Sequence, residues 1–254
     1  MKLMAWCDGR VVEAKEFRQT SPYIIHRLHV YKYKVYNLAR HIHLMRDASM
    51  SLFGFASLCR VEDAERIIGQ LLHLSRVSPN FSCVVDMRLN SHGELSFEVE
   101  APSYYSGFAL RVNRPKGVLL TAPQPEFLSQ NSITLALDAM YDARVNGRGD
   151  VAVLVDEKEE LISRPWLPVF VVFNNRIYTP KAYETVEYVT AVDAIRKAGY
   201  ELTIRPIPAN SLMRMDEIFT VDATGVTSLS KIADHSLFSV AAALIVEQMC
   251  SPRE

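Results

Sequence analysis

The stretch DVAVLVDEKEELISRPWLPVFVVFNNRIYTP, residues 150–180, constrains the fold more than any other part of the chain. Its apolar runs are rich in Val, Ile and Phe and are separated by a charged turn and by Arg164-Pro165-Trp166, with an Asn-Asn pair further on. That pattern specifies three strands in a meander and excludes an all-helical chain. It also contains a break. Arg164-Pro165-Trp166 sits between the second and third strands, where a strand tolerates neither a buried charge nor a proline. Local departures from an otherwise consistent pattern concentrate at functional sites.

The flanking segments supply helices and further strands. At the start, a short apolar stretch, an Asp8-Gly9 turn and Val11-Val12 read as a small hairpin. Residues 23–36 alternate in character and are rich in β-branched and aromatic side chains, so they form a strand. Helices follow over 38–53 and 62–76; in the latter Ile67, Leu71 and Leu74 recur at helical spacing behind an acidic first turn. SCVVDMRL and ELSFEVE, joined through Asn90-Ser91-His92-Gly93, make the clearest hairpin, and 107–112 and 117–122 add two strands. Beyond Pro123-Gln124-Pro125 come a helix at 131–146, the meander, a helix at 183–198 and the strand ELTIRPI. A short helix at 210–215, the strand DEIFTVDA and a helix at 235–250 complete the chain. The expected fold is α/β (α+β) in two domains, residues 1–122 and 131–254, with a connector at 123–130.

Composition narrows the function classes. A formal net charge of −1 argues against holding nucleic acid by bulk electrostatics. No apolar run approaches the length that spans a bilayer. The 4 cysteines are scattered without a CxxC, which points to reduced thiols in a cytoplasmic protein, and MKLMAWCDGR reaches Asp8 too soon for a signal peptide.

Several constellations invite a chemical reading, and most are better explained structurally. His41 and His43 in RHIHL lie on a helix, where i and i+2 face different directions, so solvated or capping histidines are expected rather than a metal pair. Asp234, His235 and Ser236 are adjacent and cannot assemble a triad; Asp234 or Ser236 suits the N-cap of the last helix. HRLHVYKYKVY interleaves cations with tyrosines, which reads as an amphipathic strand with a basic exposed face. No GxGxxG, P-loop, GxSxG or HExxH occurs.

The order of the second half is distinctive: an Asn131-started helix, LVDEKEELIS, VFVVFNNRIYTP, a Gly199-ended helix and MDEIFTV. It resembles the second domain of the class IV (fold-type IV) pyridoxal-phosphate enzymes, the branched-chain and D-amino-acid aminotransferases and aminodeoxychorismate lyases. WCDGRVV and HIHLMRDAS extend the resemblance into the first half. The resemblance implies a Schiff-base lysine, a carboxylate on the pyridine nitrogen and a phosphate cup. Carried onto this sequence, the lysine falls among Pro125–Gln130, which contain none; Lys116 is the nearest upstream. The ring carboxylate falls on Arg164, a cation where an anion is required. The cup falls on Thr185 and Glu187, on Ala223 and Thr224 and, in the first domain, on Leu44 with Arg46 two residues away.

From these positions the expectation is a divergent class IV-like protein that has lost pyridoxal phosphate and catalysis. It would keep an interdomain pocket in which Arg164 and Trp166 meet an acidic or aromatic small ligand. Alternatively Arg164 is neutralised by a salt bridge to Glu187 or Asp222. Two other readings stand beside it. One is a working pyridoxal-phosphate-dependent aminotransferase or lyase, with Lys116 as its lysine. The other is a non-catalytic interaction protein. The resemblance also implies a homodimer.

Overall fold

The computed structural model describes residues 2–103, 105–121, 130–147 and 149–249, and the chain divides into two compact units. One takes in Met1–Gly107 and Phe127–Gln130, the other Phe108–Glu126 and Asn131–Glu254.

Unit 1 is a six-stranded sheet with two helices packed on one face. Its strands are β1 (Met4–Cys7), β2 (Arg10–Glu13), β3 (Tyr23–Tyr31), β4 (Lys34–Val35), β5 (Cys83–Asn90) and β6 (Leu95–Val99), in the order β2-β1-β6-β5-β3-β4. Helices α1 (Leu38–Phe53) and α2 (Val61–Leu74) lie between β4 and β5 in sequence. The alternation read from the sequence holds. Ile24, Leu28, Val30, Val85, Met87 and Phe97 share one core with Met45 of α1 and Ile68, Leu71 and Leu72 of α2. The expected basic stripe on β3 is not a free basic face. Arg27 reaches Asp86 at 3.5 Å and Glu100 at 2.5 Å, so cations and anions alternate across neighbouring strands.

Unit 2 contains two sheets. Its elements are β7 (Ala109–Leu110), β8 (Lys116–Thr121), α3 (Gln130–Val145), β9 (Val151–Val155), β10 (Val169–Phe173) and β11 (Arg176–Thr179). There follow α4 (Val186–Lys197), β12 (Leu202–Ile204), β13 (Glu217–Asp222), β14 (Gly225–Ser228), β15 (Lys231–Ile232), β16 (His235–Ser236) and α5 (Val240–Met249). One sheet runs β12-β11-β10-β13-β14-β7, the other β16-β15-β8-β9. Because β8 bonds to β9 and β15, residues 116–121 go with unit 2 rather than with the first half of the chain. The expected connector at 123–130 lies, apart from Gln130, outside the described residues.

Strand β10 is central, which explains its unbroken apolar run: Val169 and Val171 face the core formed with Ile218, Leu161 and Ile232. On the other side Phe170 stacks on Phe219 and Tyr188, at ring-centroid distances of 5.3 and 6.0 Å. Asn174 and Asn175 turn it into β11 with φ of 51° and 60°, the left-handed pair that a two-residue hairpin requires. The second strand expected in the meander does not form. Leu161 donates its amide to Ile207, Ile162 to Leu154, and only isolated bridges join Leu161 to Val155 and Glu160 to Pro208. Its backbone bonds are divided between two neighbours, so no continuous ladder develops.

The last helix also differs from expectation. Residues 235–236 belong to β16, α5 begins at Val240, and neither Asp234 nor Ser236 caps it. The cap comes from β13: the Glu217 carboxylate accepts the amides of Ala241 at 2.8 Å and Ala242 at 3.1 Å. His235 instead lies 2.9 Å from the Met215 carbonyl.

Candidate functional site

The pattern break at 163–168 is a turn pinned from several sides, all within unit 2. Ser163 Oγ accepts the Val169 amide at 3.1 Å, and the Ser163 carbonyl accepts the Tyr183 hydroxyl. Thr185 Oγ1 donates to the Pro165 carbonyl at 2.6 Å, and the Leu167 amide closes onto the Arg164 carbonyl at 3.1 Å. The Val221 amide donates to Pro168 at 3.1 Å, which draws in the end of β13. The structure therefore gathers three segments that the resemblance singled out: 163–166, Thr185 with Glu187 at the start of α4, and 222–224.

What these groups are committed to decides what they can bind. Thr185 is the N-cap of α4 by backbone position, yet its hydroxyl bonds to Pro165 and caps no helix amide. Glu187 occupies the first turn of α4. Ala223 is buried, and Thr224 folds back on Asp222, whose Oδ1 accepts both its amide (2.7 Å) and its hydroxyl (2.5 Å). The other Asp222 oxygen accepts Arg111 at 3.0 Å, and Arg111 also reaches Thr224 Oγ1 at 3.1 Å.

Asp222 thus already has its cation, and the expected salt bridge from Arg164 to Asp222 or Glu187 is not formed. Among the described residues the Arg164 guanidinium pairs with no carboxylate. Arg164 is half-buried, and burial lowers its pKa from the ordinary arginine value, although the group remains a cation at neutral pH. Trp166, also half-buried, stands two residues away on the same turn.

Lys116 is placed elsewhere. Strands β8 and β9 are parallel, with Gly117 opposite Val151 and Thr121 opposite Val155. Val155 bridges Leu161, so the Arg164 turn belongs to the Thr121 end. Lys116 begins the strand at the other end, roughly 16 Å away at about 3.3 Å per residue. There its amide donates to Asp150 Oδ2 at 2.7 Å. The register Pro125–Gln130, where the resemblance puts the lysine, lies outside the described residues save for Gln130, a helix position. Leu44 is half-buried on α1 of unit 1, with Arg46 exposed.

One arrangement in unit 1 has no signal in the sequence. His41 is not solvated or capping; it is 2% exposed, and its Nδ1 lies 3.2 Å from Nδ1 of His26. Burial holds His26 down at about 4 and His41 well below the usual histidine range, so both rings are neutral at pH 7. His43 is exposed, 3.5 Å from Asp47. Among the described residues no helix is long and apolar enough to cross a membrane, and no cluster of His, Cys, Asp and Glu could hold a metal.

No family model matches the chain, and no curated protein matches it by sequence. Solved structures do. A PLP-bound aminotransferase from Brucella abortus superposes with a TM-score of 0.80 over 99% of this chain and 100% of its own, at 13% identity. The fold is that of the class IV aminotransferases. Branched-chain aminotransferase from Thermoproteus uzoniensis, solved with norvaline, gives 0.79 at 16% identity, covering 98% of this chain and 94% of that one. The T.th. branched-chain amino acid aminotransferase, complexed with N-(5'-phosphopyridoxyl)-L-glutamate, gives 0.79 at 16% identity, covering 98% and 93%.

These matches correct the expectation that no cofactor is involved. Chains sharing this fold over nearly their whole length carry pyridoxal phosphate or a phosphopyridoxyl group, and nothing in this chain shows that binding has been lost. The donor set nevertheless differs from the one the resemblance implies. Arg164, a cation, stands where the resemblance puts the ring carboxylate, and the hydroxyls of Thr185 and Thr224 bond within the protein. The residues do not fit the implied arrangement, and no reaction step is derived through the group.

Proposed function

We propose that this protein is a pyridoxal-phosphate-dependent enzyme of the class IV type, acting on an amino group by transfer to a 2-oxo acid or by elimination. The observation that carries the reading is the superposition on a PLP-bound aminotransferase over 99% of this chain and 100% of that one. The pinned turn at 163–168, tied to Thr185 at the start of α4, supports it, because among the described residues its Arg164 guanidinium pairs with no carboxylate and suits an anionic ligand.

Titration with pyridoxal phosphate, followed by visible absorbance before and after borohydride, tests the proposal. The expected result is a band that borohydride bleaches, with the label on one lysine by peptide mapping. That lysine lies outside residues 125–130, which contain none. Absence of any band at saturating cofactor counts against the reading. On the same reading the assembly is a homodimer, which light scattering checks.

A further inference from the structure

The pinned turn carries two kinds of donor that no described residue uses. Arginine has five N–H groups and no acceptor, and tryptophan has one indole N–H. Both side chains are half-buried, yet among the described residues neither the Arg164 guanidinium nor the Trp166 indole N–H meets an acceptor. The acceptors nearest in sequence are already engaged. The carbonyls of Ser163, Arg164, Pro165 and Pro168 take Tyr183, Leu167, Thr185 and Val221 respectively. Burial lowers the Arg164 pKa and no neighbouring charge raises it, so the cation has lost water without gaining a counter-ion. Pro165 and Pro168 fix φ at two positions, so the backbone that carries the donors is set before any ligand arrives.

We propose that Arg164 and Trp166 form an oxyanion subsite, in which the guanidinium takes two oxygens of a carboxylate or phosphate side by side and the indole N–H is a further donor. The planar fork matches that pair of oxygens, which a single halide ion cannot offer. Binding is non-covalent and needs neither a pyridoxal group nor a lysine. The subsite therefore stands or falls apart from the proposed activity.

The test follows the indole N–H signals of the full chain in proton–nitrogen correlation spectra. The chain has 2 tryptophans, so Trp166→Phe identifies the Trp166 signal by removing it, and Trp6 in unit 1 is the internal control. Inorganic phosphate and acetate are titrated separately, at an ionic strength held constant with chloride. Each is expected to move the Trp166 signal saturably and to leave that of Trp6 in place. Arg164→Gln should weaken binding about ten- to a hundredfold, the span of a hydrogen bond to a charged group. Arg164→Lys, which keeps the charge without the fork, should fall between the two. Tighter phosphate identifies a phosphorylated ligand and tighter acetate a carboxylic acid, and either supports the subsite. No movement beyond that produced by chloride, or an unchanged affinity in Arg164→Gln, means a hydrated arginine only and overturns the inference. The borohydride titration then still decides the proposed function. If a variant fails to fold, the wild-type comparison of oxyanion with chloride decides alone.

Discussion

Removing the Glu217 carboxylate should be among the most damaging single changes on a side chain outside the apolar core. Glu217 sits on β13, is 3% exposed, and its two oxygens take the amides of Ala241 and Ala242 at 2.8 and 3.1 Å. Because the Ala243 amide bonds to the Ser239 carbonyl, Ser239 is the helix N-cap, and the two amides are those an N-cap side chain ordinarily satisfies. Both alanines are buried, so water cannot replace the acceptor. Glu217→Ala strands two buried donors at about 1–3 kcal/mol each and removes a negative charge from the positive end of α5. The sum is about 3–5 kcal/mol, which for a chain of this length lowers the melting temperature by roughly 6–20 °C. Glu217→Gln keeps the volume and one carbonyl oxygen, so it should lose about half as much. Urea denaturation with an unchanged slope reads the difference directly. If Glu217→Ala lies within about 1 kcal/mol of the native protein, the bond is not satisfying those amides and the argument fails.

Three other changes follow from the same reasoning. The His26–His41 pair is neutral when folded and free to protonate when unfolded, so its contribution is full above pH 6.5 and is lost as pH falls toward 4. For His26, shifted from 6.5 to about 4, the loss is up to about 3 kcal/mol, and His41→Phe should flatten the profile of urea midpoints between pH 7 and 4.5. Asp86 acts in the opposite sense. Burial, with Glu100 adding to it, raises its pKa to about 6 against the pull of Arg88 and Arg27, so the folded state takes up a proton as pH falls through 6 and gains stability there. Asp86→Asn should therefore cost little at pH 7, because Arg88 keeps Glu98 at 2.5 Å and Arg27 keeps Glu100, and it should steepen the acid loss caused by the histidines. A loss above about 3 kcal/mol at pH 7, as from a broken buried pair, would contradict this. Finally, Gly225 has φ +136°, and an added Cβ would lie 2.2 Å from the Ala109 carbonyl oxygen, so Gly225→Ala should part β14 from β7 and cost more than about 2 kcal/mol by thermal melt.

The elements most legible in the sequence are those whose bonds are local. Asn90, Gly93 and the alternation of 95–99 specify the β5–β6 hairpin within a dozen residues, and the Asn174-Asn175 pair specifies the turn into β11. What was hidden depends on partners far along the chain. Residues 159–163 have strand composition but split their backbone bonds between Leu154 and Ile207, some 45 residues beyond, so composition alone promised a ladder that never forms. Adjacent Asp234 and Ser236 suit a cap for α5 because caps are usually local, while the group that serves reaches across from β13. RHIHL alone suggests solvated or capping histidines, since nothing in it reveals that β3 places His26 opposite His41.

The candidate site shows the same limit in a sharper form. The resemblance puts a cation at Arg164 where an anion is required, and puts Thr185 and Thr224 in a phosphate cup beside Glu187 and Ala223, so that on residue type alone the threonine hydroxyls are what remains to meet a phosphate. Position turns that reading around. Thr185 commits its proton to Pro165 and Thr224 to Asp222, so the hydroxyls serve as fasteners for the turn. Arg164 is the member of the set left without a carboxylate partner among the described residues. The salt bridge by which Arg164 would plug the site is not formed with Asp222, which Arg111 already holds. A half-buried guanidinium held on a fastened turn loses hydration without gaining a carboxylate partner among the described residues, which is a cost that a ligand acceptor would relieve.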